Sequence, residues 1–239
     1  MKSNKRILFI VFIVIISLFL RSFYIIKYPI NSRDAYRYQH LIENWEKDKS
    51  FNKSRTLPPL AIYIMRIPYA FANINAIKGG VIVNNILGIM IVLMLTLIVE
   101  MLFHNSYLSF YSGIVAATHF SLIMYSCNAL RENTYLLGVC AVIASMLKYR
   151  MTSKFFYILA MAFWTSWVVL SRYEGIELLL VMPIIIFFIS KGNIYLRGLK
   201  VIVYGFTLLC FTCIILKCIK FDDVNFMNYL HSIKNILST

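Results

Sequence analysis

Long apolar runs separated by short polar breaks set the pattern of this chain. A basic head, MKSNKR, precedes an apolar body that continues as RSFYII past Arg21, with no small-residue cleavage site after it. The expectation is an uncleaved first span, with Arg21 snorkelling toward the membrane interface. Further apolar segments lie at about 57–77, 80–103, 107–126, 133–148, 155–171, 174–190 and 197–219. Several approach the 17–25 residues that a spanning helix needs. The pattern predicts an all-α, polytopic membrane protein.

The segment 57–77 stands apart, because LPPLAIYIMRIPYAF holds three prolines and Arg66. Charge decides whether it crosses. If it does not, Lys2, Lys5 and Arg6 share a side with Lys148, Arg150, Lys154, Lys191, Arg197 and Lys200. The positive-inside rule then favours about seven spans and a cytoplasmic amino terminus. On this reading residues 1–219 form the transmembrane core, with an outer loop at about 27–56 and a re-entrant or interfacial segment at 57–77. Residues 127–132 and 171–175 are further outer loops, and 220–239 is an extracytoplasmic tail. The long outer loop opposes the charge rule, since it holds Lys27, Arg33, Arg37, Lys47, Lys49, Lys53 and Arg55. Within it, DAYRYQHLIENWEKDK places Tyr38, Leu41, Ile42 and Trp45 on one helical face, which suits a helix lying on a membrane surface.

Composition agrees with a membrane setting. Hydrophobic residues make up 60% of the 239, only 14% are charged, and mean hydropathy is +0.74. A soluble domain sits nearer 45–50% apolar and about 25% charged. The net charge of +14 would suggest nucleic acid in a soluble protein. Here it is assigned to cytoplasmic loops and to anionic lipids or phosphorylated substrates, not to nucleic acid. Five cysteines, Cys127, Cys140, Cys210, Cys213 and Cys218, mostly sit inside apolar runs and read as buried, inert thiols. The CFTC spacing at 210–213 has no second pair or histidine cluster to complete a metal site.

The chemistry concentrates in SCNALRENTYLLG, where Arg131, Glu132, Asn133 and Tyr135 fall within five positions between apolar runs. One arginine at a helix centre costs roughly 2.5–3.5 kcal/mol against lipid. Under the seven-span reading this cluster shares the outer face with Asp34 and with the junction LSRYEGIELL, which carries Arg172, Glu174 and Glu177. Arginines there suit a lipid-linked phosphate, and a carboxylate such as Asp34 suits proton removal from an incoming hydroxyl. The plainer reading is that these charges mark span ends and pair with one another. Glu100 and His104 read as boundary residues, and His119 as an interhelical donor or a groove residue.

The order of these clusters resembles the GT-C superfamily of integral membrane glycosyltransferases, in its protein O-mannosyltransferase-like and aminoarabinose-transferase-like branch. The resemblance rests on SRDAYRYQHLIENW, LPPLAIYIM, NNILGIMIVLMLTLIVEMLF, LRENTYLLGVCAVIAS and LSRYEGIELLLVMPIIIFF, in that order, over roughly residues 5–215. It implies inverting transfer of a sugar from a polyprenyl-phosphate donor to a lipid, glycan or protein hydroxyl outside the cell membrane. Asp34 matches the family's loop acid as general base. Tyr38 and the Pro-Pro-Leu segment, Pro58 and Pro59, would line the cleft. Arg131 and Arg172 match positions near the donor phosphate, with Glu174 their partner and Glu132 and Tyr135 beside them. The chain departs from the family at Ala35, where many relatives carry a second acid, so no tight divalent-metal site is expected and no cofactor is assigned. Relatives are also longer, which leaves open a minimal enzyme, a fragment, one half of a two-chain assembly, or a degenerate copy. The alternatives are a non-catalytic membrane subunit and a transporter for a lipid-linked anion. A transporter should show pseudo-symmetric halves, which the sequence lacks.

Overall fold

The computed structural model describes residues 2–27, 32–48, 59–72 and 74–219. Pro58 and the tail 220–239 lie outside the described residues, as does most of the basic stretch 47–55. Every described element is helical: α1 (Lys2–Lys27), α2 (Arg33–Asp48), α3 (Pro59–Ala72), α4 (Ala76–Phe103), α5 (Ser106–Thr118), α6 (Phe120–Ser126), α7 (Glu132–Thr152), α8 (Phe156–Ser171), a 3₁₀ turn (Tyr173–Ile176), α9 (Glu177–Ile189) and α10 (Ile194–Cys218).

Three helices are long and apolar enough to cross a membrane, over Lys5–Lys27, Ala76–Phe103 and Ile194–Cys218. α5 and α6 make a fourth candidate only if taken together, because the chain bends by 57° between them. α8 and α9 are shorter, at 16 and 13 residues, and α7 carries charge at both ends, with Glu132 in its first turn and Arg150 in its last. These apolar helices mark a membrane protein.

The helix ends gather at two poles. At the near pole, which holds the start of α1, Arg6 pairs with Glu100 at 2.8 Å. There Tyr149 also hydrogen-bonds Ser190 across 3.0 Å. At the far pole, Ala35, Tyr38, Ile42 and Trp45 of α2 pack with Leu60 to Met65 of α3, Leu170 of α8 and Leu216 of α10. The apolar face of α2 therefore covers protein, not a lipid surface as its amphipathic pattern predicts. The reason is α3, whose Pro59, Leu60, Ala61, Ile62 and Met65 are all buried and offer that face a closer apolar partner. Arg66, awkward in an apolar segment, lays its guanidinium over the Trp45 ring at 4.7 Å and near Tyr63 at 5.9 Å. Cation–π contact keeps its charge compatible with the α2–α3 packing.

The third apolar run, 107–126, is not one straight helix. His119 takes extended backbone angles (φ −65°, ψ 119°), and α6 leads into an unwound stretch before α7. That stretch ends against α4, where side-chain amides replace the lost helical hydrogen bonds. Asn84 donates to the carbonyls of Asn128 and Leu130, and Asn85 donates to that of Ser126 at 3.1 Å. Asn133 donates to the Asn84 carbonyl at 2.9 Å and to Ser126 Oγ at 3.1 Å. Unwound backbone in an apolar bundle needs such partners.

Arg21 joins this network instead of snorkelling. It is fully buried, donating from Nε to Ser126 Oγ at 3.1 Å and from its terminal nitrogens to Ser17 and the Gly88 carbonyl. A Cβ at residue 88 would collide with Ser126 Oγ and sit 3.1 Å from Arg21 Nε. The glycine is what lets α4 approach. The cysteines also divide: Cys127 and Cys140 are buried, whereas Cys210, Cys213 and Cys218 are exposed, because α10 buries little beyond Tyr204 and Leu216.

Replacing Asn84 by leucine strands two buried carbonyls with no change in the apolar surroundings. An unsatisfied buried group costs about 1–3 kcal/mol. Asn84→Leu is expected to lower the midpoint of unfolding in mixed detergent micelles, with helix content unchanged at the start of the titration. An unmoved midpoint counts against the amide clamp.

Candidate functional site

The far pole collects most of the charged side chains that the sequence singles out. α7 begins where the unwound stretch ends, so Arg131 and Glu132 stand at its first turn. The α8–α9 junction tightens into the 3₁₀ turn, with Gly175 packed under the end of α8. A Cβ there would lie 2.7 Å from the Val168 carbonyl oxygen. This turn holds Arg172 and Glu174 against α7.

Arg172 is the most engaged charge. Its guanidinium reaches Glu174 at 2.6 Å and Glu132 at 3.3 Å, and lies over the Tyr135 ring at 5.6 Å. The hydrogen bond from Arg172 holds the Glu174 carboxyl below the usual carboxylate range, and the same bond raises Arg172. Two carboxylates thus already face Arg172.

Arg131 differs. Its Nη1 is buried and has no hydrogen-bond partner among the described residues, and Oε2 of the adjacent Glu132 is likewise unsatisfied. Its charge acts on both Tyr38 of α2 and Glu174 of the junction. Burial pushes the Tyr38 hydroxyl up to about 12; Arg131 opposes that shift, and Asp34 and Glu132 add to it. Tyr38 is 3% exposed, so its ring packs in the core while its electrostatic environment is the cluster.

Asp34 stands in the first turn of α2, where a carboxylate favours the positive end of the helix dipole. Ser32 Oγ accepts the Ala35 N–H at 3.1 Å and starts the helix. Asp34 is exposed, and no hydrogen bond ties it to Arg131 or Arg172. Ala35, by contrast, is 1% exposed. A second acid there would point into apolar packing. Pro59 is buried in the first turn of α3, beneath α2. Glu177 opens α9 and is exposed.

A groove of about 850 Å³ opens on the other flank of α2, between α1 and α4. Tyr36, Gln39, Asn75 and Lys78 line its polar end, and Leu18, Ile25, Ile82 and Ile89 are among its apolar walls. At the bend, exposed His119 borders a second hollow between α4 and α5. Among the described residues no three His, Cys, Asp or Glu side chains converge on a common point.

The sequence suggests an interfacial place for Arg21 and gives no sign of its partners Ser17, Gly88 and Ser126. The signal available was the pair Asn84–Asn85 inside an otherwise apolar run. The chain matches no protein-family model, no curated protein sequence and no solved structure.

The Arg172–Glu174 pair makes a pH prediction. The folded-state value of Glu174 lies below its unfolded value, so the pair's contribution is complete above about pH 4.3. It is lost as pH falls through the depressed value. Glu174→Gln is expected to flatten the acid limb of a plot of unfolding temperature against pH, leaving only the slope due to Glu132 and other carboxylates. An acid limb as steep as wild type shows that Glu174 does not carry this dependence.

Proposed function

We propose that this chain is a membrane glycosyltransferase that moves a sugar from a polyprenyl-phosphate donor to a hydroxyl acceptor. The observation that carries the reading is the open Arg131 guanidinium. It is a half-buried cation whose Nη1 has no hydrogen-bond partner among the described residues, within electrostatic reach of Tyr38 and Glu174, at the pole where a groove of lipid-chain size opens. A phosphate oxygen would complete its hydrogen bonding, and charge-assisted bonds of this kind are among the strong ones.

In this reading the chain crosses the membrane about seven times. α1, the α5–α6 pair, α8 and α10 run one way, α4, α7 and α9 the other, and α2 and α3 cap the far pole. The near pole carries Lys148, Arg150, Lys154, Lys191, Arg197 and Lys200 and faces the cytoplasm of a cell membrane, as the charge rule favours. The acceptor oxygen attacks the anomeric carbon and its proton passes to Asp34. The bond to the phosphate oxygen breaks, and the phosphate keeps the electron pair while Arg131 holds its charge. Attack opposite the leaving group inverts the anomeric centre.

The exposure of Asp34 favours a second reading, a non-catalytic subunit or half-enzyme whose partner completes the site. One experiment separates them. Purified wild type, Asp34→Asn and Arg131→Ala are assayed with radiolabelled polyprenyl-phosphate sugars, each with and without co-expressed membrane partners. Asp34→Asn is expected to lose about 10²–10⁴-fold in turnover while still binding donor. Arg131→Ala is expected to weaken donor binding by roughly ten- to a hundredfold. Wild-type turnover in Asp34→Asn removes it as the base, and transfer that needs a second chain favours the subunit reading.

Topology has its own check. In a cysteine-free background, Arg150→Cys is expected to resist an impermeant thiol reagent added to intact cells. Labelling there overturns the seven-crossing arrangement.

A further inference from the structure

The near pole holds a cavity that the reading above does not use. It measures about 550 Å³ and lies between α1, α4, α5 and the end of α7. Its two ends differ in chemistry. The outer end presents Arg6, Glu100, His104, Ser106 and Lys148, and the inner walls include Phe9, Ile13, Leu93, Leu97 and Phe110. From Arg6 to Ile13, and from Glu100 back to Leu93, the apolar wall runs seven residues along a helix, about 10 Å of depth.

The charges at the mouth are not balanced. Arg6 binds Glu100 at 2.8 Å and donates to Ser106 Oγ at 3.3 Å, and Ser106 in turn donates to Glu100 at 3.4 Å. That closes one ion pair. The Lys148 ammonium lines the same mouth and makes no hydrogen bond or ion pair among the described residues. One cation is left facing a cavity whose interior is apolar, at a pole rich in lysine and arginine.

We infer that this cavity seats an anionic glycerophospholipid of the surrounding membrane, its headgroup phosphate on Lys148 with Arg6 alongside, and part of one acyl chain against Phe9, Ile13 and Leu97. Each part of the cavity selects for a part of that ligand. A soluble anion has no use for 10 Å of apolar wall, and a zwitterionic lipid brings its own cation to a mouth that already has an excess. Basic pockets between helices at a membrane face are suited to anionic headgroups, and the volume is within the range of small-ligand sites. The inference is independent of the glycosyltransferase reading, because the cavity lies at the opposite pole from Arg131 and Asp34.

The test uses the full chain in detergent micelles, with native mass spectrometry reading lipid retention. The probes are phosphatidylglycerol, phosphatidylcholine and a polyprenyl phosphate, each at the same concentration. Wild type is expected to retain phosphatidylglycerol over phosphatidylcholine. Lys148→Gln should reduce that retention by roughly tenfold or more, and Lys148→Arg should restore it. Leu97→Trp, which fills the wall without touching charge, is expected to reduce retention as well. Should Lys148→Gln not fold, the Leu97→Trp and Lys148→Arg arms decide the matter. Equal retention of phosphatidylglycerol and phosphatidylcholine by wild type overturns the inference. So does retention that survives Lys148→Gln, or a Lys148-dependent preference for the polyprenyl phosphate, which would make the cavity a substrate site.

Discussion

Backbone that leaves a helix inside an apolar bundle must find donors for its carbonyls, and the arrangement of this molecule follows from where it finds them. The stretch between α6 and α7 would otherwise bury bare carbonyls. Two asparagine amides of α4, Asn84 and Asn85, take the place of the missing backbone N–H groups, and Asn133 of α7 donates back to the Asn84 carbonyl. Each asparagine sits on a regular helix, so the clamp is as rigid as the helices that carry it. α7 thereby starts at a fixed height beside α4, and Arg131 and Glu132 are delivered to the same pole as Tyr38.

Arg21 uses the same network for a different need. Its charge has no carboxylate beside it among its hydrogen-bond partners; it is held by hydroxyl and carbonyl oxygens of Ser17, Ser126 and Gly88. Oxygen dipoles supply a weaker field than a carboxylate, but they leave the pairing chemistry of the far pole undisturbed. Arg172 shows the contrary solution, a cation closed by two carboxylates. Arg131 Nη1 has neither kind of partner among the described residues.

Much of the helical layout is readable along the chain, since the apolar runs near 80–103, 155–171 and 197–219 coincide closely with α4, α8 and α10. That the polar clusters around residues 131 and 172 share a pole is also readable, from counting alternations. Other features resist such reading for a physical reason. Periodicity reports that a face is apolar, not what covers it, so α2 reads alike over lipid and over α3. Hydropathy averages also hide partnerships. Nothing near Arg21 in the sequence reveals Ser126, and nothing near Asn84 reveals the carbonyl of Leu130. The break at His119 lies in a run whose composition suits a continuous helix. The side chain of Asp34 is exposed on the first turn of α2, where a carboxylate suits the positive end of the helix that Ser32 starts.

The burial of Arg21 also bears on how the chain is made. Its partners Gly88 and Ser126 follow it by 67 and 105 residues. At a synthesis rate of about 5–20 residues per second, those partners emerge several seconds after Arg21 itself. During that interval the guanidinium has only Ser17, on its own helix, to hold it away from water. The first helix therefore completes the hydrogen bonding of its arginine only when α4 and α6 arrive. In the order of synthesis, an early helix thus waits for two later ones to satisfy its buried cation.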